Sequence, residues 1–170
     1  MSVWDADGAL LGALTDLGVE LERVGVGAYL VTLRGARRPV SPVWLIAGEQ
    51  AVTVEAFVVH LLEGASVAAV HRHVLRRNNA LRGVHYGTDD VGDLFLTGSL
   101  SLADATPVGV DRLLGELWQL LEDDYPTVLS LAYGDRLALD PALSAKVYAD
   151  GAGRRPAGTP DWAPHRDARR

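Results

Sequence analysis

Between Val19 and Val59 the chain places four apolar segments in succession with three to nine residues between them. Parallel neighbours need a crossover of about a dozen residues or more, whereas antiparallel ones need only a turn. The segments Val19–Val24, Ala28–Leu33, Val43–Ala47 and Ala51–Val59 are therefore predicted to form an antiparallel meander. Gly25-Val26-Gly27 and Gly48-Glu49-Gln50 supply the tight connections, and Arg34–Pro39 a longer loop. The nearly continuous apolar character of the third and fourth segments places them at the centre of the sheet, covered on both faces or at an interface.

On either side of the meander the period changes to that of a helix. Leu10, Leu14 and Leu17 recur at helical spacing, with Asp7 expected as the N-cap and Gly18 as the stop. A second helix is predicted over Val67–Asn78, capped by Ser66, with Val67, Val70, Val74 and Leu75 on one face and Arg72, Arg76 and Arg77 largely elsewhere. Asn78-Asn79 would end it, since Asn tolerates the left-handed conformation. Val84–Thr88 and Asp93–Leu102 read as a hairpin around Asp89-Asp90-Val91-Gly92.

Thr106-Pro107 opens the last major helix as a cap followed by Pro. Its apolar stripe runs from Val110 to Leu131 with Trp118 on the flank, and Pro126 should kink it or restart it after Asp124. Asp140-Pro141 could open a short helix to Tyr148. The order is α-β-β-β-β-α-β-β-α, an α+β fold with helices packed on an antiparallel sheet. Residues 1–150 are expected to form one domain, and 151–170 a Gly/Pro/Arg-rich basic tail.

Composition narrows the function classes. The chain has no cysteine, which removes disulfides, thiolate metal sites and thiol nucleophiles. Residues 151–170 hold five Arg against two Asp, a net +3, while the rest holds 11 basic against 20 acidic residues, a net −9. An acidic body argues against a nucleic-acid partner, because phosphate binding rests on clustered Lys and Arg. Met1–Asp5 lacks the features of a signal peptide, and no apolar run approaches the ~20 residues of a membrane span. A cytoplasmic protein without a membrane partner is the expectation.

No catalytic constellation emerges. His71 and His73 point about 200° apart on a helix and cannot share one metal. Glu122-Asp123-Asp124 reads as a solvated face rather than an acid/base pair, and Asp89, Asp90 and Asp93 lack the spacing of a calcium loop. Gly98-Ser99-Leu100-Ser101 lacks a nucleophile elbow. No catalytic, cofactor-binding or metal-binding residue is assigned, and no cofactor is expected. Arg72, Arg76, Arg77 and Arg82 form the sharpest local charge cluster. They could bind an acidic or phosphorylated ligand, or favour the helix dipole and pair with carboxylates of the body.

Several phrases occur together in a fixed order. Thr53–Val59 precedes Val74-Leu75-Arg76-Arg77-Asn78; Gly83-Val84-His85-Tyr86 and Gly92–Gly98 follow; Asp111–Gly115 and Leu129–Gly134 complete the set. The set resembles the YbjN family of bacterial proteins, its actinobacterial branch in particular, over residues 10–134. The resemblance implies a fold like that of type III secretion chaperones, commonly paired into homodimers, with sensory or regulatory roles and no agreed catalytic residues.

Two functions are consistent with these features. The first is a non-enzymatic protein-interaction module, homodimeric and regulatory or chaperone-like, with Trp44 and Phe57 as anchors on the sheet and Arg72, Arg76 and Arg77 as further partner-binding residues. The second is a small-molecule sensor or enzyme with a pocket between the long helix and the sheet, lined by Trp118, Tyr125 and Tyr133.

Overall fold

The computed structural model describes residues 3–61 and 65–134. The expected helix near Tyr148 and the tail at 151–170 lie outside the described residues. Helix α1 spans Val3–Asp16; strands β1 Leu21–Gly25, β2 Ala28–Leu33, β3 Ser41–Ala47 and β4 Ala51–Val59 follow. Helix α2 covers Ala65–Asn78, β5 Val84–Thr88 and β6 Leu94–Ser101; α3 Pro107–Asp123 and α4 Tyr125–Tyr133 come last.

The sheet has six strands in the order β1-β2-β3-β4-β6-β5, with every neighbouring pair antiparallel. The meander is as expected, and β3 and β4 are central. β6 crosses over β5 to pair with β4, which leaves β1 and β5 at the edges. Residues of one parity across the strands, such as Val31, Val43, Ala56 and Leu96, enter a single apolar core. The buried residues of α1, α2, α3 and α4 join that same core, so all four helices lie on one side of the sheet. The other side carries Leu30, Trp44, Glu55 and Thr97 in one row.

The turn between β1 and β2 explains why the N-cap expected at Asp7 is not realised. α1 starts earlier, so Asp7 lies inside it and is buried. Its Oδ1 accepts the Gly27 N–H at 2.7 Å and the Tyr29 hydroxyl, and its Oδ2 pairs with Arg23. Burial first, and then the hydrogen bond and charge of Asp7, push the Tyr29 hydroxyl's pKa up. Gly27 can turn here because its φ of 69° suits a residue without Cβ. Gly18, at φ 63°, ends α1 as the sequence predicts.

At the other end of the fold, Thr106 caps α3 by accepting the Gly109 N–H at 3.2 Å. Pro126 does restart the helix. α3 stops at Asp123, Asp124 bridges, and α4 begins with Tyr125-Pro126, where the absent N–H of Pro costs nothing.

Candidate functional site

α2 shows how one helix can divide its residues between the core and a surface groove. Val70 and Val74 are buried, and Val67 packs against the same core. Leu75, expected on that face, is 64 % exposed. At 100° per residue it lies 100° round from Val74, at the edge of the stripe rather than within it. The helix begins at Ala65, so Ser66 stands in its first turn rather than before it.

The helix ends at Asn78 as expected, but for a different reason. Among the described residues only glycines have positive φ, so no left-handed Asn ends the helix. Asn78 acts through its side chain. Its Nδ2 donates to the Tyr86 carbonyl at 3.0 Å and its Oδ1 accepts the Tyr86 N–H at 2.8 Å. Both main-chain groups of Tyr86 therefore face away from β6, on the open side of edge strand β5, and Asn78 occupies them.

Next to this contact, α2 is tied to the break between α3 and α4. The Asp124 carboxylate is buried and accepts from three side chains: His73 Nε2 at 2.8 Å, Arg77 Nε at 3.2 Å and the Tyr86 hydroxyl at 2.8 Å. Burial, followed by the adjacent Asp124 charge, raises the Tyr86 hydroxyl's pKa well above its ordinary value. Arg77 thus takes the structural role that its position near a helix end suggested. Asp124 is not part of a solvated face.

Between α2 and β5 lies a groove of about 280 Å³ bounded by Val74, Leu75 and Asn78 of the helix, Tyr86 and Thr88 of the strand, and Leu94 of β6. His71 also borders it, and its Nε2 is buried with no hydrogen-bond partner among the described residues. Of the five residues expected at a partner surface, Arg72 and Arg76 are exposed and Arg77 is held by Asp124. Trp44 is half-buried on the sheet, between Leu30 and Glu55 in register. Phe57 is buried, its ring edge-on to Phe95 at 5.5 Å.

The three aromatic residues expected to line one pocket go to separate places. Trp118 is 44 % exposed and donates its indole N–H to the Arg34 carbonyl at 2.9 Å. Tyr125 lies in the core beneath the Arg38 guanidinium, 4.7 Å from its ring centre, and the Tyr133 hydroxyl donates to the His60 carbonyl. The cause is the helix break, which turns Tyr125 and Tyr133 away from Trp118.

Other ionisable groups serve local structure. Glu122 accepts the N–H groups of Ala36, Arg37 and Arg38 at 2.9, 3.1 and 3.1 Å, and so holds the loop before β3. The Arg37 amide above all, then those of Arg38 and Ala36, hold its carboxyl below the ordinary range against the opposing effect of burial. His60 Nδ1 meets fully buried Asp93, whose own N–H is accepted by Asp89 Oδ1 at 2.8 Å. Burial, with the Asp89 charge adding to it, raises Glu55 to about 7. Among the described residues no helix is long and apolar enough to cross a membrane.

Asp7, Arg38, Asp93 and Asp124 are buried polar groups that local sequence reasoning missed. One signal was available for Asp124, which sits directly before Tyr125-Pro126, where a helix must be re-entered.

A family model described as "Putative bacterial sensory transduction regulator", YbjN, matches residues 7–130. An uncharacterised protein of Mycobacterium leprae is 38 % identical over 109 residues, covering 64 % of this chain and 59 % of that protein. One of Mycobacterium tuberculosis H37Rv is 37 % identical over 106 residues, covering 62 % of this chain and 57 % of the relative. The chain thus matches less than two-thirds of the length of these relatives. A chain in the structure of the heterodimeric ExoU–SpcU complex from the Pseudomonas aeruginosa type III secretion system superposes with a TM-score of 0.51 at 16 % identity. The match covers 71 % of this chain and 95 % of that one, and it shows a shared fold. With the family model spanning the sheet and the helices packed on it, the chain belongs to the YbjN family.

Proposed function

We propose that this protein is a non-enzymatic, cytoplasmic protein-interaction module with a regulatory or chaperone-like role, and that the α2–β5 groove is its partner surface. The observation that carries the reading is the exposed Leu75 at the lip of an apolar groove, next to the exposed Arg72 and Arg76. Of the exposed large apolar side chains among the described residues, Leu75 is the one that borders this groove, so a partner could bury it together with the apolar lining. Membership in the YbjN family and the fold shared with a chain of a secretion complex support an interaction role. Trp44, half-buried on the side of the sheet away from the helices, is the proposed anchor of a homodimer; Phe57, on the same side, is already covered by its own chain and has little surface left to offer.

The test is capture from the native cell with the wild-type chain and with Leu75→Asp. A protein retained by the first and lost by the second, at equal thermal stability, is the expected result. The same set captured by both would defeat the groove as the partner surface. Sedimentation at micromolar concentration, with and without Trp44→Ala, decides the homodimer; a wild-type monomer removes it.

The buried, unpartnered His71 Nε2 favours a second reading, a small-molecule sensor. The cavity is just below the roughly 300–1,000 Å³ usual for such sites. A thermal-shift screen against metabolites distinguishes the two readings, because only the sensor predicts stabilisation by a small compound.

A further inference from the structure

Beyond Leu75, on the side of α2 turned away from the other residues that line the groove, the helix surface turns cationic. Arg72 lies about 60° round the helix from Leu75, on the side away from Val74, and Arg76 about 40° further. Both are exposed, and unlike Arg77 neither has an ion-pair or hydrogen-bond partner among the described residues. Like charges at i and i+4 repel on a helix surface, so this pair opposes the fold slightly rather than supporting it. It also stands on a body where 20 acidic residues outnumber 11 basic ones outside the last twenty positions, yet none of the described carboxylates neutralises it. The cations and the apolar lip therefore form one continuous surface whose complement is apolar and acidic.

The edge strand limits how such a partner can bind. Strand addition uses the outward N–H and C=O groups of the edge. At the centre of β5 those groups belong to Tyr86, and Asn78 holds both. A partner backbone would have to displace two good hydrogen bonds to pair there. Binding through side chains requires no such exchange.

We propose that an acidic segment of a partner protein crosses the lip of the groove, with an apolar side chain inserted beside Leu75 and carboxylates beyond the lip at Arg72 and Arg76, gripped through side chains and not added as a strand to β5. This rests on the reading of the groove as the partner surface.

The test is a titration of the isotopically labelled full chain with a short synthetic peptide of Leu and Glu at helical spacing, up to millimolar concentration. A peptide with Lys in place of every Glu is the control. Saturable amide shifts confined to residues 71–78 and 84–88 are expected for the Glu peptide and none for the Lys peptide. The double variant Arg72→Glu/Arg76→Glu should weaken binding by about tenfold or more. Both sites are exposed, so the fold should survive the change, and a thermal melt checks this. Equal binding of the two peptides, or an unaltered affinity in the double variant, overturns the proposal, as does a silent Glu peptide. Capture from cells separates the failures. If Leu75→Asp still loses its captured partner while the Glu peptide is silent, the groove stands and the acidic chemistry falls. If capture is also unchanged, both readings fall.

Discussion

Asp124 and Glu122 stand two residues apart at the end of α3, and each draws three donors onto one carboxylate. Asp124 is 5 % exposed, and its donors are side chains from α2 and β5. Glu122 reaches outward, and its donors are main-chain N–H groups of the loop at 36–38. In a buried site each hydrogen bond is strong, and each one lost leaves a group that water cannot satisfy. In an exposed site water replaces the lost partner. The same count of bonds therefore secures α2, the wall of the groove, far more firmly than the loop before β3.

This contrast breaks if Asp124→Ala proves mild. Its loss leaves the buried Tyr86 hydroxyl without its acceptor and takes the counter-charge from Arg77 and His73. We expect a fall of about 3 kcal/mol in chemical denaturation. A change under about 1 kcal/mol would mean that the corner relaxes and solvates as the loop does. Asn78→Ala should follow at about 1–2 kcal/mol, because it unpairs both outward groups of Tyr86. It should also open the β5 edge to association, visible as concentration-dependent light scattering.

Glu55 sharpens the comparison from the other direction, since it is a half-buried carboxylate on the sheet that burial and the Asp89 charge drive toward its protonated form. Its pKa rises from an ordinary 4.5 to about 7, so between those values the folded chain holds a proton that the unfolded chain releases. Stability should therefore fall as pH rises across that window and level off above it. Glu55→Gln should remove this component of the slope, read as the difference between denaturation curves taken at several pH values. A pH-independent difference would exclude the raised pKa.

Glu122→Gln should have the smallest effect. Global stability should barely change, while amide exchange at residues 36–38 quickens. Because the Glu122 pKa is lowered on folding, its contribution is present above the ordinary carboxylate range and lost as pH falls through the folded value. The loop of the wild-type chain should open on acidification, and that of Glu122→Gln should show no such step.

Much of the fold was legible because its signals are local. The short links from β1 to β4 dictate antiparallel pairing, and Thr106-Pro107 and Tyr125-Pro126 mark helix starts by their own chemistry. The candidate site was legible only in part. Arg72 and Arg76 stand out in the sequence as charges and lie beyond the lip of the groove, whereas the spacing of Leu75 fits the core stripe at whose margin it is exposed. Asn78 was read through its backbone preference, but it acts through an amide that meets a strand eight residues on.

The sequence by itself determined the element order, the α+β class, the meander with β3 and β4 at its centre, and a kink or restart of the last helix at Pro126, since each follows from periodicity, link length or the geometry of proline. Only the tertiary structure decided that β6 inserts between β4 and β5, that Asp7 and Asp124 are buried acceptors, and that Trp118, Tyr125 and Tyr133 part company. These outcomes depend on groups far apart in the chain, and on burial that makes a polar side chain either costly or cohesive according to what it meets. The groove belongs with them, because a concavity exists only where two elements fail to close on each other.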